Sequence, residues 1–443
     1  MNISDLHRLK SLLWSALPVI CALLPTACRK APAASVAATN FKVYSFNGSR
    51  SGFSAVKLKN NTFVAALQDP DDSVRRGSLL CVDAAGRKLW TATLPAGMHF
   101  TGIAATGDGG FAITERKGSS ITYDDRIAFD SSYTVYVSHY TAEGNSDWTY
   151  TLQEPRHGFA VSLCAAQDGN SIAVASSWGA GIQPKQPYHI RIINLALNGA
   201  LNSIREIITP EDDSFAYWTQ KICAVNNGFV ITGSVYLYDT ASSPYLLSYS
   251  LPGTPGYFVL KTDVQGNLVW NYNKPGDPAG AVTNGGEDIC TAGGNTIIVA
   301  RDSSMLVWNY NYRGNYMILP QGTIAFDLFD AGTGALRRTV AFPAENASVL
   351  PYITRTTDNH YLIAATSNYT QAYPWQVFLL KTDENLNPLW QRTLDIPYPA
   401  QAFGALETDE GSYLVFANIQ TFGNERIDIA VIRTDTNGDI VEE

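Results

Sequence analysis

The sequence predicts an all-β fold: a seven-bladed β-propeller of four-stranded antiparallel blades, its ring closed by an N-terminal strand. Two repeats of the same period carry that expectation. The first is a β-rich run ending in an acidic turn, then a Gly and often a Trp. It is clearest in Ser78-Leu-Leu-Cys-Val-Asp-Ala-Ala-Gly-Arg-Lys-Leu-Trp90 and Phe258-Val-Leu-Lys-Thr-Asp-Val-Gln-Gly-Asn-Leu-Val-Trp270. The turn acid, or the residue in its place, is Asp83, Thr141, Ala196, Asp263, Asp330, Asp383 and Asp435, spaced 52 to 67 residues apart. That spacing is close to the longer propeller periods. Gly stands three residues after it at Gly86, Gly144, Gly199, Gly266 and Gly438, and Trp seven after it at Trp90, Trp148, Trp270 and Trp390. Gly334 is displaced by one residue, and Leu386 replaces Gly in the sixth copy.

The second repeat is a polar turn before a short apolar run. It starts with Asn60-Asn-Thr-Phe-Val-Ala-Ala66 and Asp108-Gly-Gly-Phe-Ala-Ile113, and its seventh copy is Asp409-Glu-Gly-Ser-Tyr-Leu-Val415. Asn, Asp and Gly between β-rich runs make hairpin turns because they tolerate positive φ. Each unit therefore reads as strands a, b, c and d, with short a–b and c–d turns. Tandem units of this kind bury their faces against each other when arranged radially. No stretch beyond the N-terminus shows sustained helical periodicity.

Taken in order, the chain begins with a targeting segment over residues 1–28. His7, Arg8 and Lys10 make a basic start, and Ser11 to Ala27 is an apolar run too short for a membrane span. It ends Leu24-Pro-Thr-Ala-Cys28, which resembles the lipobox of bacterial lipoproteins, although Pro25 stands where that motif prefers Leu. The resemblance implies lipidation at Cys28, with a lipid anchor as the one membrane contact. Arg29 is not the Asp associated with inner-membrane retention, which points to the outer membrane. Residues 29–40, Ala-rich, read as a flexible tether. The propeller occupies residues 41–443. Phe41-Lys-Val-Tyr-Ser-Phe46 is a spare β-rich segment, and the last copy stops short at Glu443. The spare segment is expected to complete the seventh blade.

A formal net charge of −9 and a pI of about 5.2, with no basic run, argue against a nucleic-acid partner. Four cysteines follow Cys28: Cys81, Cys164, Cys223 and Cys290. Three of them share one position on strand a of neighbouring blades, too far apart for a bridge. They are expected to be buried free thiols. They lack the close spacing of zinc motifs, so no metal site and no cofactor is expected.

Lys261-Thr-Asp263 with Gly266 and Trp270, and Lys381-Thr-Asp383 with Trp390, resemble the units of secreted bacterial repeat proteins. Those units read roughly Lys-x-Asp-x-x-Gly-x-x-x-Trp, and the resemblance covers residues 53–443. Phe329-Asp-Ala-Gly-Thr-Gly-Ala-Leu336 is similar to the blade motif of pyrroloquinoline-quinone-type propellers. Both resemblances imply a propeller, and neither implies a catalytic residue.

Register assigns the repeated residues to structure. A Trp at one position in several blades packs between blades, and a turn Asp caps backbone N–H groups two residues on. Asp435-Thr-Asn-Gly-Asp439 lacks the Gly and the final Glu of a calcium loop. His139 and His360 fall at repeat positions and read as structural. Gly-x-Ser-x-Gly, His-Glu-x-x-His and phosphate-loop signatures are absent from the sequence.

Function is therefore expected where the chain does not repeat. The b–c loops of blades three to six are aromatic: Trp178 to His189, Tyr236 to Tyr257, Trp308 to Tyr316 with Tyr310 and Tyr312, and Tyr369 to Trp375. The d–a crossovers share that face and should ring the channel mouth with His99, Arg156, His157, Asp212, Asp213, Trp218, Glu287, Asp288 and Tyr352. The expected function is that of a monomeric envelope lipoprotein binding a glycan, peptide or protein on the loop face. The alternative is an enzyme at the channel mouth. A glycosidase or lyase would use Asp212 or Asp213 opposite Glu287 or Asp288. A quinone-type dehydrogenase would be expected to have eight blades and a calcium site.

Overall fold

A computed structural model describes residues 41–46, 51–69, 77–95, 97–117, 121–123, 126–128, 134–152, 157–179, 189–209, 215–237, 256–274, 285–292, 295–302, 323–343, 349–367, 375–421 and 426–441. They form seven four-stranded antiparallel sheets and one two-stranded hairpin, with no helix among them. Within each of blades 1 to 6 the strands lie in chain order from a to d. The seventh blade takes its outermost strand from the start of the chain: Lys42–Tyr44 pairs antiparallel with Ile427–Thr434. The expected closing strand is thus where the spare β-rich segment placed it.

The seven inner strands are Ser51–Lys57, Met98–Ala105, His157–Ala165, Phe215–Val225, Gly285–Ala292, Val349–Arg355 and Ala400–Glu407. Each touches the next, and the last touches the first, so the blades make a closed ring. The core is divided accordingly into seven hydrophobic clusters, one in each seam between neighbouring blades. The closing seam is as apolar as the others: Phe63, Leu80 and Val82 of blade 1 meet Phe403, Leu414 and Phe416 of blade 7. Middle strands have a neighbour on both faces, which is why Gly77–Val82, Gly256–Thr262 and Tyr361–Ser367 are buried at every position. Outer strands have one covered face, and Lys88–Thr93 and Pro388–Thr393 alternate between exposed and half-buried.

The Asp–Gly–Trp repeat is one joint seen from two blades. The turn carboxylates of Asp83, Asp263, Asp383 and Asp435 each accept backbone N–H bonds from residues two and four further on, at 2.7–3.0 Å. In blade 3, where Ala196 replaces Asp, Asn198 accepts the N–H of Ala200 instead. The Gly then takes a left-handed φ, from 72° at Gly86 to 85° at Gly266, and Leu386 adopts 59° in the same place. The Trp of the preceding blade lies on that turn. Trp90 donates its indole N–H to Ala142 O at 3.1 Å, Trp148 to Leu197 O at 2.7 Å and Trp270 to Ala331 O at 3.1 Å. The motif lysines are also used between and within blades. Lys261 donates to Ala331 O at 2.8 Å, and Lys381 to Thr356 Oγ1 and Tyr413 OH.

Two features of the b–c connections depart from the sequence reading. Blade 2 carries an additional hairpin, Ile121–Tyr123 with Arg126–Ala128, between its b and c strands. Trp178, His189, Tyr236 and Tyr257, expected to bound b–c loops, lie within strands instead, and Tyr257, second in the middle strand Gly256–Thr262, is fully buried.

Candidate functional site

Every a–b strand pair contains a register shift at its loop-face end. The extra residue is Phe53, Thr101, Ala160, Gln220, Glu287 or Phe403 in six blades, and blade 6 shifts across Leu350 and Pro351. A bulge re-aims the residues beside it, and such devices gather at the rims of barrels and next to sites. Below the bulge, Ser54, Gly102, Ser162, Lys221, Asp288, Tyr352 and Gly404 lie opposite Ala66, Thr114, Ala175, Thr232, Ala300, Ala364 and Phe416. This is one structural position occupied seven times. Blades 1, 2 and 7 fill it with Ser or Gly. Blades 3 to 6 place there a hydroxyl, an ammonium, a carboxylate and a phenol in succession.

Contacts run along this arc from blade to blade. Ser162 Oγ accepts the N–H of Ile222 at 3.3 Å. Lys221 Nζ lies 3.3 Å from Asp288 Oδ1, and the Asp288 charge raises Lys221 above its ordinary value. Asp288 Oδ2 accepts the N–H of Ile353 in blade 6 at 3.0 Å, and Oδ1 that of Ile289 at 2.9 Å. Tyr352 is raised above its ordinary range by burial first, then by the charges of Glu287 and Asp288, so it remains a neutral phenol. Two residues further along the inner strands, Cys164, Cys223 and Cys290 lie opposite Ala173, Val230 and Ile298, again one equivalent position, and pack into the seams between blades. All are free thiols. Burial, and after it the charge of Asp288, pushes Cys223 up to about 12, and burial raises Cys164 and Cys290 as well. Groups held as thiols are poor nucleophiles and poor metal ligands.

The arc can donate and accept hydrogen bonds and present one cation. Asp288 is poorly suited to general acid–base work, since Lys221 and two backbone N–H groups already occupy its oxygens.

The rim residues expected from sequence divide three ways. His99, His157, Trp218, Glu287, Asp288 and Tyr352 lie inside inner strands rather than in crossovers, because those strands run on past the bulge towards the loop face. The structure brings Glu287, Asp288 and Tyr352 together; His99 sits half-buried in blade 2. Trp375, half-buried just before a middle strand, accepts the N–H of Ala400 on its carbonyl at 2.8 Å and so ties blade 6 to blade 7. Arg156, Asp212, Asp213, Trp308, Tyr310, Tyr312 and Cys28 lie outside the described residues. Lys221 and Ser162 were missed by the sequence reading. A lysine followed by Ile222-Cys223-Ala224-Val225 in an inner strand is the signal that could have found the first.

His139 is structural, as its repeat position implied. It is buried, stacked on Trp148 at 5.6 Å, with Asp147 at 3.2 Å and Thr106 at 3.1 Å. Trp148 and Tyr150 also line a groove of about 660 Å³ on the outer flank between blades 2 and 3, away from the channel.

No protein-family model matches the chain, and no curated protein matches it. Solved structures do. A hydrazine synthase from Kuenenia stuttgartiensis superposes with a TM-score of 0.50 over 88% of this chain and 97% of its own, at 13% identity. The chain shares its fold. A protein of unknown function from Bacteroides caccae matches at 0.41 over 72% of this chain and 90% of its own, at 12% identity. The parainfluenza virus 5 hemagglutinin-neuraminidase matches at 0.45, covering 78% and 91%, at 10% identity.

Proposed function

We propose that the chain is a lipid-anchored binding protein of a bacterial cell envelope, which holds a glycan or protein partner on the loop face of its propeller. It would belong with the secreted repeat lipoproteins whose Lys-x-Asp-x-x-Gly-x-x-x-Trp unit it resembles. The observation that carries this reading is the arc of Ser162, Lys221, Asp288 and Tyr352, where an ammonium, a carboxylate and a phenol, each used once, follow a serine at a position that repeats. Its carboxylate is spent on Lys221 and backbone N–H groups, which favours binding over acid–base catalysis. Polar groups convergent on a channel mouth are a general ligand-site arrangement.

Two measurements test it. Cells fed labelled palmitate should incorporate label into the wild-type chain and not into Cys28→Ser; a wild-type chain without label overturns the anchor. Glycan arrays and defined envelope-protein panels should give a ligand whose affinity falls about tenfold in Tyr352→Phe, the size of one lost hydrogen bond. Unchanged affinity in a variant that keeps its thermal midpoint removes the arc from the binding site.

A further inference from the structure

A second polar cluster lies in the seam between blades 4 and 5, at its loop-face end. Asp327 is fully buried there and fully engaged. Its Oδ2 accepts from Tyr257 OH and from Arg301 Nε at 2.9 Å, and its Oδ1 from Thr339 Oγ1 at 2.6 Å. Among the described residues, Asp327 is the carboxylate paired with Arg301. A second cation stands beside them. Lys274, the last residue of the outer strand Leu268–Lys274, is half-buried with its ammonium 5.9 Å from the centre of the Tyr257 ring. The Arg301 guanidinium lies at the same distance from that ring. Lys274 forms no ion pair with a carboxylate among the described residues, and its ammonium stands over the Tyr257 ring.

A half-buried ammonium without a carboxylate is costly, and an incoming anion relieves that cost. We propose that Lys274, backed by the field of Arg301, is the recognition cation for an oxyanion, a carboxylate or sulfate group carried by a ligand on the loop face. Burial first, then the Arg301 charge, already pushes Lys274 below its ordinary value, more than Asp327 raises it. Arg301 is held rigidly by Asp327, so it adds positive potential without leaving its place. The Tyr257 ring supplies a surface on which the ammonium can rest when the site is empty. The site stands on these residues alone, and its failure leaves the envelope-binding proposal intact.

The test uses the whole propeller with its lysines labelled for NMR by 13C-methylation. Sodium sulfate, sodium glucuronate and glucose are each titrated at constant ionic strength set with chloride. Saturable binding of sulfate or glucuronate, with the Lys274 signal titrating at higher pH in its presence, supports the proposal. Which of the two binds more tightly tells a sulfate ligand from a carboxylate ligand. Lys274→Met should weaken that binding at least tenfold, and Lys274→Arg should restore most of it. The proposal is overturned if neither anion saturates, if glucose binds equally well, or if Lys274→Met binds as the wild type does while remaining folded.

Discussion

Glu115 shows how far a single residue departs from its ordinary chemistry in this ring. It lies in a strand of blade 2, is almost fully buried, and is pushed up to about 7 by burial, against a small opposing effect of Ser138. Ser138 Oγ reaches its Oε2 at 3.2 Å and Thr149 Oγ1 at 3.0 Å. A carboxyl raised in the folded state binds more protons there than in the unfolded chain between its ordinary value and about 7. Stability contributed by this group is therefore full in acid and is lost as pH rises through that window. The loss is on the order of 3 kcal/mol. Chemical denaturation at pH 4.5 and 8 should show that fall in the wild type and a flatter profile in Glu115→Gln. Equal slopes for the two proteins would show that Glu115 titrates normally.

At the scale of the element, the c–d turn and the Trp of the preceding blade form one unit. A methyl group added at Gly199 would lie 2.7 Å from the Trp148 ring, on a residue with φ of 81°. At Gly109, φ is 95° and nothing lies within 4 Å of such a methyl. Ala at either position bears the left-handed strain of about 1–2 kcal/mol. Only Gly199→Ala also displaces the indole from Leu197 O. It should lose at least about 1 kcal/mol more in denaturation midpoint analysis than Gly109→Ala. A matched loss in both would leave backbone strain as the whole effect. This joint was legible in the sequence because Asp, Gly and Trp are each needed for a distinct physical task at fixed spacing. The arc of the channel was not. Its register is set by bulges, and the inserted residues range from Phe53 and Phe403 through Thr101 and Ala160 to Gln220 and Glu287, with no type common to all. Counting along strand a without the bulge places Lys221 on the wrong face.

For the whole molecule, the decisive contact is the short one that closes it. Lys42–Tyr44 covers the edge of Ile427–Thr434, and Tyr44 OH donates to the carbonyl of Gly86 in blade 1. The first strand therefore joins the last blade and touches the first one. A chain starting at residue 50 should keep its β content but leave that edge open, and open edges recruit other edges. Its thermal midpoint should fall, and light scattering should report association that the longer chain lacks. A truncated chain that stays monomeric at an unchanged midpoint would show that the seam between blades 7 and 1 closes the ring unaided. The count of seven blades and the use of the spare segment were both legible, because each rests on the arithmetic of the repeat rather than on side-chain placement.

That closure also fixes an order in time. Residues 42–44 are among the first of the propeller to be synthesised, and their partners at 429–431 are among the last. Blades 1 to 6 can each complete their strands as the chain lengthens. The seventh cannot, so the opening segment waits through almost the whole of translation with its pairing groups unmet. Until residue 434 is free, the molecule is an open arc with two raw ends.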